Sequence, residues 1–176
     1  MGKKLPLIIL SSTIITISAA LIVLKRRNSK GEFYIKSYDG KFALIFNNEW
    51  KLSKVKNELN ENSNLEAINN KNGVCFIMFS KSKENLNNIS LEEYNTSILN
   101  GINGENIISS NKIKVNNKEM YVTEFDSYYE NTLVHYLLYT LETENYYHQV
   151  MVALIKNDYK RQSKQINNIL STIREL

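Results

Sequence analysis

The side chains typed and spaced for chemistry gather in the C-terminal half of this chain. His135 and His148 are its only histidines. If Leu141 faces Tyr146 across a hairpin, His148 stands opposite Tyr139 and His135 opposite Val152, on one face of a sheet. Four residues at about 3.3 Å each then separate them by roughly 13 Å. A shared metal needs both nitrogens about 2 Å from one ion, so they are read as structural histidines on a half-covered face. Glu124 and Asp126 alternate onto one face of a strand, with Glu130, Glu142 and Glu144 placed near the same end of the sheet. Paired carboxylates can hold Ca²⁺ or serve as acid and base. The favoured reading is a solvated acidic edge that discourages strand addition; metal or small-ligand binding at Glu124 and Asp126 is the alternative. No calcium loop of the DxDxDG kind completes such a site.

The nucleophiles give less. Cys75 sits in the apolar run Val74–Phe79, where a thiol behaves as a small hydrophobe. One cysteine permits no internal disulfide, and with two histidines it cannot build a structural zinc site. Gly101 and Gly104 lack the strand-to-helix context of a phosphate loop, and no serine stands in a G-x-S-x-G elbow. Catalysis is not expected, and no cofactor. Tyrosine is the remaining signal: Tyr121, Tyr128, Tyr129, Tyr136, Tyr139, Tyr146, Tyr147 and Tyr159 cluster together. Such residues suit recognition surfaces, being apolar at one end and polar at the other; they are also ordinary strand residues. Tyr128, Tyr129, Tyr146 and Tyr147 are placed near strand ends and expected to be exposed, as an interaction surface.

Alternating and helical patterns supply the elements that position these groups. Phe33–Tyr38 and Lys41–Phe46 flank Asp39-Gly40, a hairpin turn. Leu65–Ile68 and Val74–Ser80 form a second hairpin, the latter strand apolar on both faces. Ser90 with Glu93 makes a capping box, and Ile89 can staple against Tyr94, so a helix is expected over Leu91–Asn100, stopping at Gly101. Strands Ile113–Val115, Met120–Tyr128, Thr132–Leu141 and Tyr146–Ile155 follow, joined through Asn116-Asn117 and, for the last pair, Thr143-Glu144. A closing helix from about Asp158 carries the stripe Ile166, Ile169, Leu170, Ile173. The pattern describes an α+β domain: an antiparallel sheet with helices on it.

Ahead of that domain, Leu5–Leu24 contains no charged residue. About 20 such residues at about 1.5 Å each span the hydrocarbon core of a bilayer, so a transmembrane signal anchor is expected. A cleaved signal peptide competes, with Ser18, Ala19 and Ala20 as cleavage candidates, but Leu21–Leu24 continue the apolar run beyond them. The organisation is thus a basic tail at 1–4, an anchor at 5–24, a basic linker at 25–32 and the domain at 33–176. The flanks, Lys3 and Lys4 before and Lys25, Arg26, Arg27 and Lys30 after, nearly balance and leave orientation open. They also explain the chain's net charge of +4. Residues 1–30 hold six of the 22 Lys and Arg and none of the 18 Asp and Glu, which leaves about −2 for the remainder. A nucleic-acid partner is not expected from such a surface.

The element order resembles the PsbP-like family of small α+β domains. The resemblance lies in FALIFNNEW at Phe42–Trp50, SLEEY at Ser90–Tyr94, KVNNKEMYVTEF at Lys114–Phe125, and the long final hairpin before the helix ending NNILSTIREL. It covers residues 33–176, with Asn47 and Asn48 standing where the family usually has proline. It implies an antiparallel sheet between helices and a non-catalytic role as an extrinsic subunit, adaptor or exported membrane-tethered protein. The expectation is a single-pass bacterial membrane protein, held in the bilayer by residues 5–24. Its domain is placed on the extracytoplasmic side and binds an unknown protein or envelope component.

Overall fold

The computed structural model describes residues 31–52, 59–102, 106–129, 132–154 and 159–176. The anchor segment 5–24, the tail, most of the linker and Glu130 lie outside these. Among the described residues no helix is long and apolar enough to cross a membrane.

The chain opens with the expected hairpin, β1 (Glu32–Lys36) against β2 (Phe42–Asn47). Gly40 takes the positive φ of +72° that the turn requires. Strands β3 (Trp50–Leu52), β4 (Leu65–Asn69) and β5 (Val74–Ser82) follow, then helix α1 (Leu91–Leu99). Next come β6 (Asn106–Val115), β7 (Lys118–Tyr129), β8 (Thr132–Glu142) and β9 (Tyr146–Leu154). Helix α2 (Tyr159–Ser171) and the short β10 (Arg174–Glu175) close the fold. β1, β2 and β10 make one sheet; the other seven strands run β3-β4-β5-β9-β8-β7-β6, with every pair antiparallel.

The large sheet is covered on both faces, which explains the unbroken apolar run in β5. On one face Phe76, Leu137, Val152 and Trp50 meet Ile166, Ile169 and Leu170 of α2 and Phe42, Leu44 and Phe46 of the small sheet. On the other, Cys75, Ile77, Tyr136 and Met151 meet Tyr94 and Ile98 of α1. The capping box forms: the Glu93 N–H donates to Ser90 Oγ at 3.1 Å and the Ser90 N–H to Glu93 Oε2 at 2.8 Å. The helix passes into a 3₁₀ turn at Asn100–Ile102 instead of stopping at once.

Two strand details differ from the sequence expectation. β6 begins at Asn106, well before Ile113, and carries a bulge between Ile107 and Ser109. Its polar residues hide the alternation, and its ladder to β7 creates the strand. In the β8–β9 hairpin Leu141 faces His148, and Glu142 faces Tyr147. The turn therefore centres on Glu144-Asn145, one residue later than expected. Glu175 fixes it by accepting the Asn145 backbone N–H at 2.8 Å and side-chain Nδ2–H at 2.9 Å. The ladder shifts by two residues, so each side chain keeps its face.

Candidate functional site

Pairing of β7 with β8 sets Asp126 opposite His135 and Glu124 opposite Leu137. By strand alternation all three polar groups share the face covered by α2. His135 Nδ1 lies 2.6 Å from Asp126 Oδ1, and its Nε2 lies 3.8 Å from Glu124 Oε2. The Tyr159 ring of α2 meets the imidazole edge-on, with centroids 5.0 Å apart. Beside them the Tyr139 hydroxyl, its pKa raised mainly by burial, reaches Ser163 Oγ at 3.5 Å.

This arrangement corrects two expectations. Glu124 and Asp126 do not form a solvated edge: β6 flanks β7 on its outer side, and both carboxylates are largely covered. Nor do the acidic residues gather at one end. Glu142 lies at the far end of β8, ion-paired to Lys83 at 2.7 Å, with Glu144 in the turn beyond it. The residue missed at this strand end was His135. A two-residue connection after Tyr129 would have aligned it with Asp126, since Tyr129 faces Thr132.

The cluster sets one carboxylate in direct contact with the imidazole and a second 3.8 Å from its other nitrogen. His135 is 2% exposed and its Nε2 has no hydrogen-bond partner within range. Among the described residues, no group of three or more His, Cys, Asp and Glu is placed to hold a metal ion. The 2.6 Å contact commits Nδ1 to Asp126.

His148 is a different kind of histidine. The corrected register puts it six residues along the ladder from His135, roughly 20 Å at about 3.3 Å per residue. Its Nδ1 meets Ser80 Oγ at 2.8 Å and its Nε2 meets Thr143 Oγ1 at 2.9 Å. Burial pushes its pKa down to about 3, so the ring is neutral and structural. Cys75 is buried as expected, its thiol pushed up to about 12 by burial and, secondarily, by the charge of Glu66. Glu66 itself escaped sequence reading. It is fully buried, accepting N–H bonds from Leu59 and Asn60 and the Ser63 hydroxyl.

The four tyrosines divide. Tyr128 is 72% exposed, whereas Tyr146 is half-buried, edge-on to Phe42 with Lys41 above its ring. Tyr147 is buried, contrary to expectation. Its position in β9 points it to the α1 side, where its ring stacks on Tyr94 at 4.6 Å and its hydroxyl donates to the Ile89 carbonyl. Tyr129 belongs to β7, and its side chain lies outside the described atoms. At the same end of the ladder, the corner where β6 begins and β7 ends, Ile107 and Ile108 are 44% and 50% exposed. No local signal marked them, since the sheet is covered on both faces and adjacent apolar residues in β5 are buried together.

No family model and no curated protein matches this chain in sequence. Solved structures do match its fold. The solution structure of cyanobacterial PsbP (CyanoP) from Synechocystis superposes with a TM-score of 0.54 at 7% identity, covering 89% of this chain and 99% of that one. A protein from Bacteroides thetaiotaomicron gives a TM-score of 0.58 at 12% identity over 85% of this chain, which spans about half (49%) of that longer protein. With its antiparallel sheets and two described helices, the chain has the PsbP-like fold.

Proposed function

We propose that the chain is a membrane-tethered, non-enzymatic binding or adaptor domain, displayed on the extracytoplasmic side. The observation that carries this reading is the corner of Ile107, Ile108 and Tyr128. It exposes three large side chains at one end of the β6–β7 ladder, Ile107 opposite Phe125 and Tyr128 two residues beyond the last pair, at the terminal strand of the large sheet. Large apolar side chains left exposed at a terminal strand are typical of protein contact sites. The closure of the His135 cluster supports a non-catalytic role, because α2 covers the one imidazole that meets carboxylates. The uncharged run Leu5–Leu24 supports the tether, and the PsbP-like fold agrees with such a module without fixing its partner.

Two measurements test this. Protease shaving of intact cells is expected to remove the domain; full protection would overturn the extracytoplasmic placement. A photo-crosslinking residue at position 128 in the full chain is expected to capture a discrete partner, lost on Ile107→Ser with Ile108→Ser. Equal capture from position 51, on the short strand at the other end of the sheet, would overturn the corner as the binding surface. A second reading, a small-ligand module at Glu124 and Asp126, gains from the unpartnered Nε2 of His135 beside them. Calorimetry with Ca²⁺ and Mn²⁺ tests it, and absence of heat in both dismisses the metal form.

A further inference from the structure

The small sheet has one face in the core and one outside it. Ile35, Phe42, Leu44 and Phe46 point inward, toward α2 and the large sheet. Alternation therefore turns Tyr34 and Lys36 of β1, Ile45 of β2 and Arg174 of β10 outward. Leu176, whose N–H donates to the Lys41 carbonyl, continues that row. Tyr34 and Leu176 are more than half exposed. The Arg174 guanidinium lies 4.5 Å from the centre of the Tyr34 ring, a cation–π contact made at the surface. Among the described residues neither Arg174 nor Lys36 is ion-paired. Glu32 is the carboxylate that shares their face, so the patch is cationic on a domain that is net negative by count.

What this face meets follows from where the chain enters it. The uncharged run ends at Leu24 and β1 begins at Glu32. Residues 25–31 reach at most about 25 Å when fully extended. A domain of this length has a radius of gyration of about 15 Å, so the linker is shorter than the domain is wide. With residues 5–24 in a bilayer, the side that carries β1 is held toward it. Helix α1, on the other face of the large sheet, is held away. We propose that the outer face of the small sheet rests on the anionic surface of that bilayer, an inference that rests on the tether proposed above. Tyrosine suits the headgroup layer, apolar in its ring and polar at its hydroxyl. Arginine and lysine donate charge-assisted hydrogen bonds to lipid phosphate oxygens. Lys25, Arg26, Arg27 and Lys30 add positive charge just ahead of β1, where anionic lipid attracts it. The contact sets the pose of the domain and turns α1 toward water.

Cys75 is buried, so a fluorophore attaches to an introduced cysteine. The full chain is labelled at Leu176→Cys or, as the control, at Thr96→Cys, an exposed position on α1. Each is reconstituted in vesicles of equal parts phosphatidylcholine and phosphatidylglycerol, with a headgroup nitroxide lipid as quencher. Two layer spacings of about 10 Å separate the positions, so quenching at 176 is expected to exceed that at 96 by about twofold or more. The excess is expected to fall in phosphatidylcholine alone, and in Tyr34→Ser with Arg174→Gln. Lys36→Glu serves as the second variant should that pair fail to fold, with the same fall expected. Release of the chain from the vesicles by carbonate would overturn the tether and this proposal together. Retention with equal quenching at the two positions would overturn this proposal alone, as would an excess unchanged without phosphatidylglycerol or unchanged in the variants. A disulfide between two unlabelled Leu176→Cys copies, with no quenching by lipid, would assign the face to a second copy and overturn it as well.

Discussion

At the scale of single residues, the two histidines show how environment decides chemistry. His148 is enclosed by Phe42, Tyr146 and two hydroxyl partners, and burial depresses its pKa from 6.5 to about 3. The sign follows from proton uptake. As the pH falls below about 6.5 the unfolded chain binds a proton that the folded chain refuses until about 3. Stability is therefore complete above the unfolded value and declines through this window, by at most about 1.4 kcal/mol per pH unit from this group. Urea titrations at pH 7 and pH 5 should show that decline in the wild type and a shallower one in His148→Gln. Glu49 and Glu175, whose pKa values lie below 4.5, add their own loss only at lower pH. An unchanged pH dependence in the variant would contradict the neutral, buried assignment. His135 depends instead on Asp126. Asp126→Ala removes the acceptor at 2.6 Å and should cost about 1–3 kcal/mol in denaturant unfolding, as for a buried polar group left unpaired; Asp126→Asn should recover part of that.

At the scale of elements, local signals were legible where the chain's own neighbours form the contact. Ser90 and Glu93 specified the start of α1, and Asn116-Asn117 specified the β6–β7 turn, where both residues adopt positive φ of 48° and 66°. Ser90→Ala should lower stability by about 1 kcal/mol. Asn117→Gly should raise it by a few tenths to about 1 kcal/mol, because glycine adopts that conformation without a Cβ penalty. Both are read as shifts in the urea midpoint, and a stabilising Ser90→Ala would deny the cap its role. Contacts from distant sequence were not legible. The β8–β9 turn slipped by one residue because Glu175, 30 positions beyond Asn145, selects the loop. The exposure expected of Tyr147 failed because α1, far upstream, presents Tyr94 to its ring. The acidic pair at Glu124 and Asp126 looked like an edge because β6, polar along most of its length, gave no alternating signal. Candidate residues were thus found by type, while their partners depended on register and on neighbouring layers.

At the scale of the molecule, one sheet separates two cores. Ile166 lies in the core between the sheet and α2, and Ile98 in the core under α1. Side chains on opposite faces of a sheet do not touch, and layers stack about 10 Å apart. Perturbations in the two cores should therefore add, unless β5, β8 and β9 transmit strain between them. Each of these strands contributes residues to both cores, as Phe76 with Ile77, Leu137 with Tyr136, and Val152 with Met151 show. Ile166→Val and Ile98→Val each remove one methylene, and each should cost about 0.5–1.5 kcal/mol. The double variant should fall within about 0.5 kcal/mol of their sum, as found for sites without shared partners. A larger coupling energy in urea unfolding would mean that the sheet carries strain from one face to the other. The His135 cluster under α2 would then be mechanically linked to the α1 side, through Tyr136 and Leu137 next to it in β8. Additivity would instead leave the α2 layer, with its covered cluster, free to shift without disturbing α1.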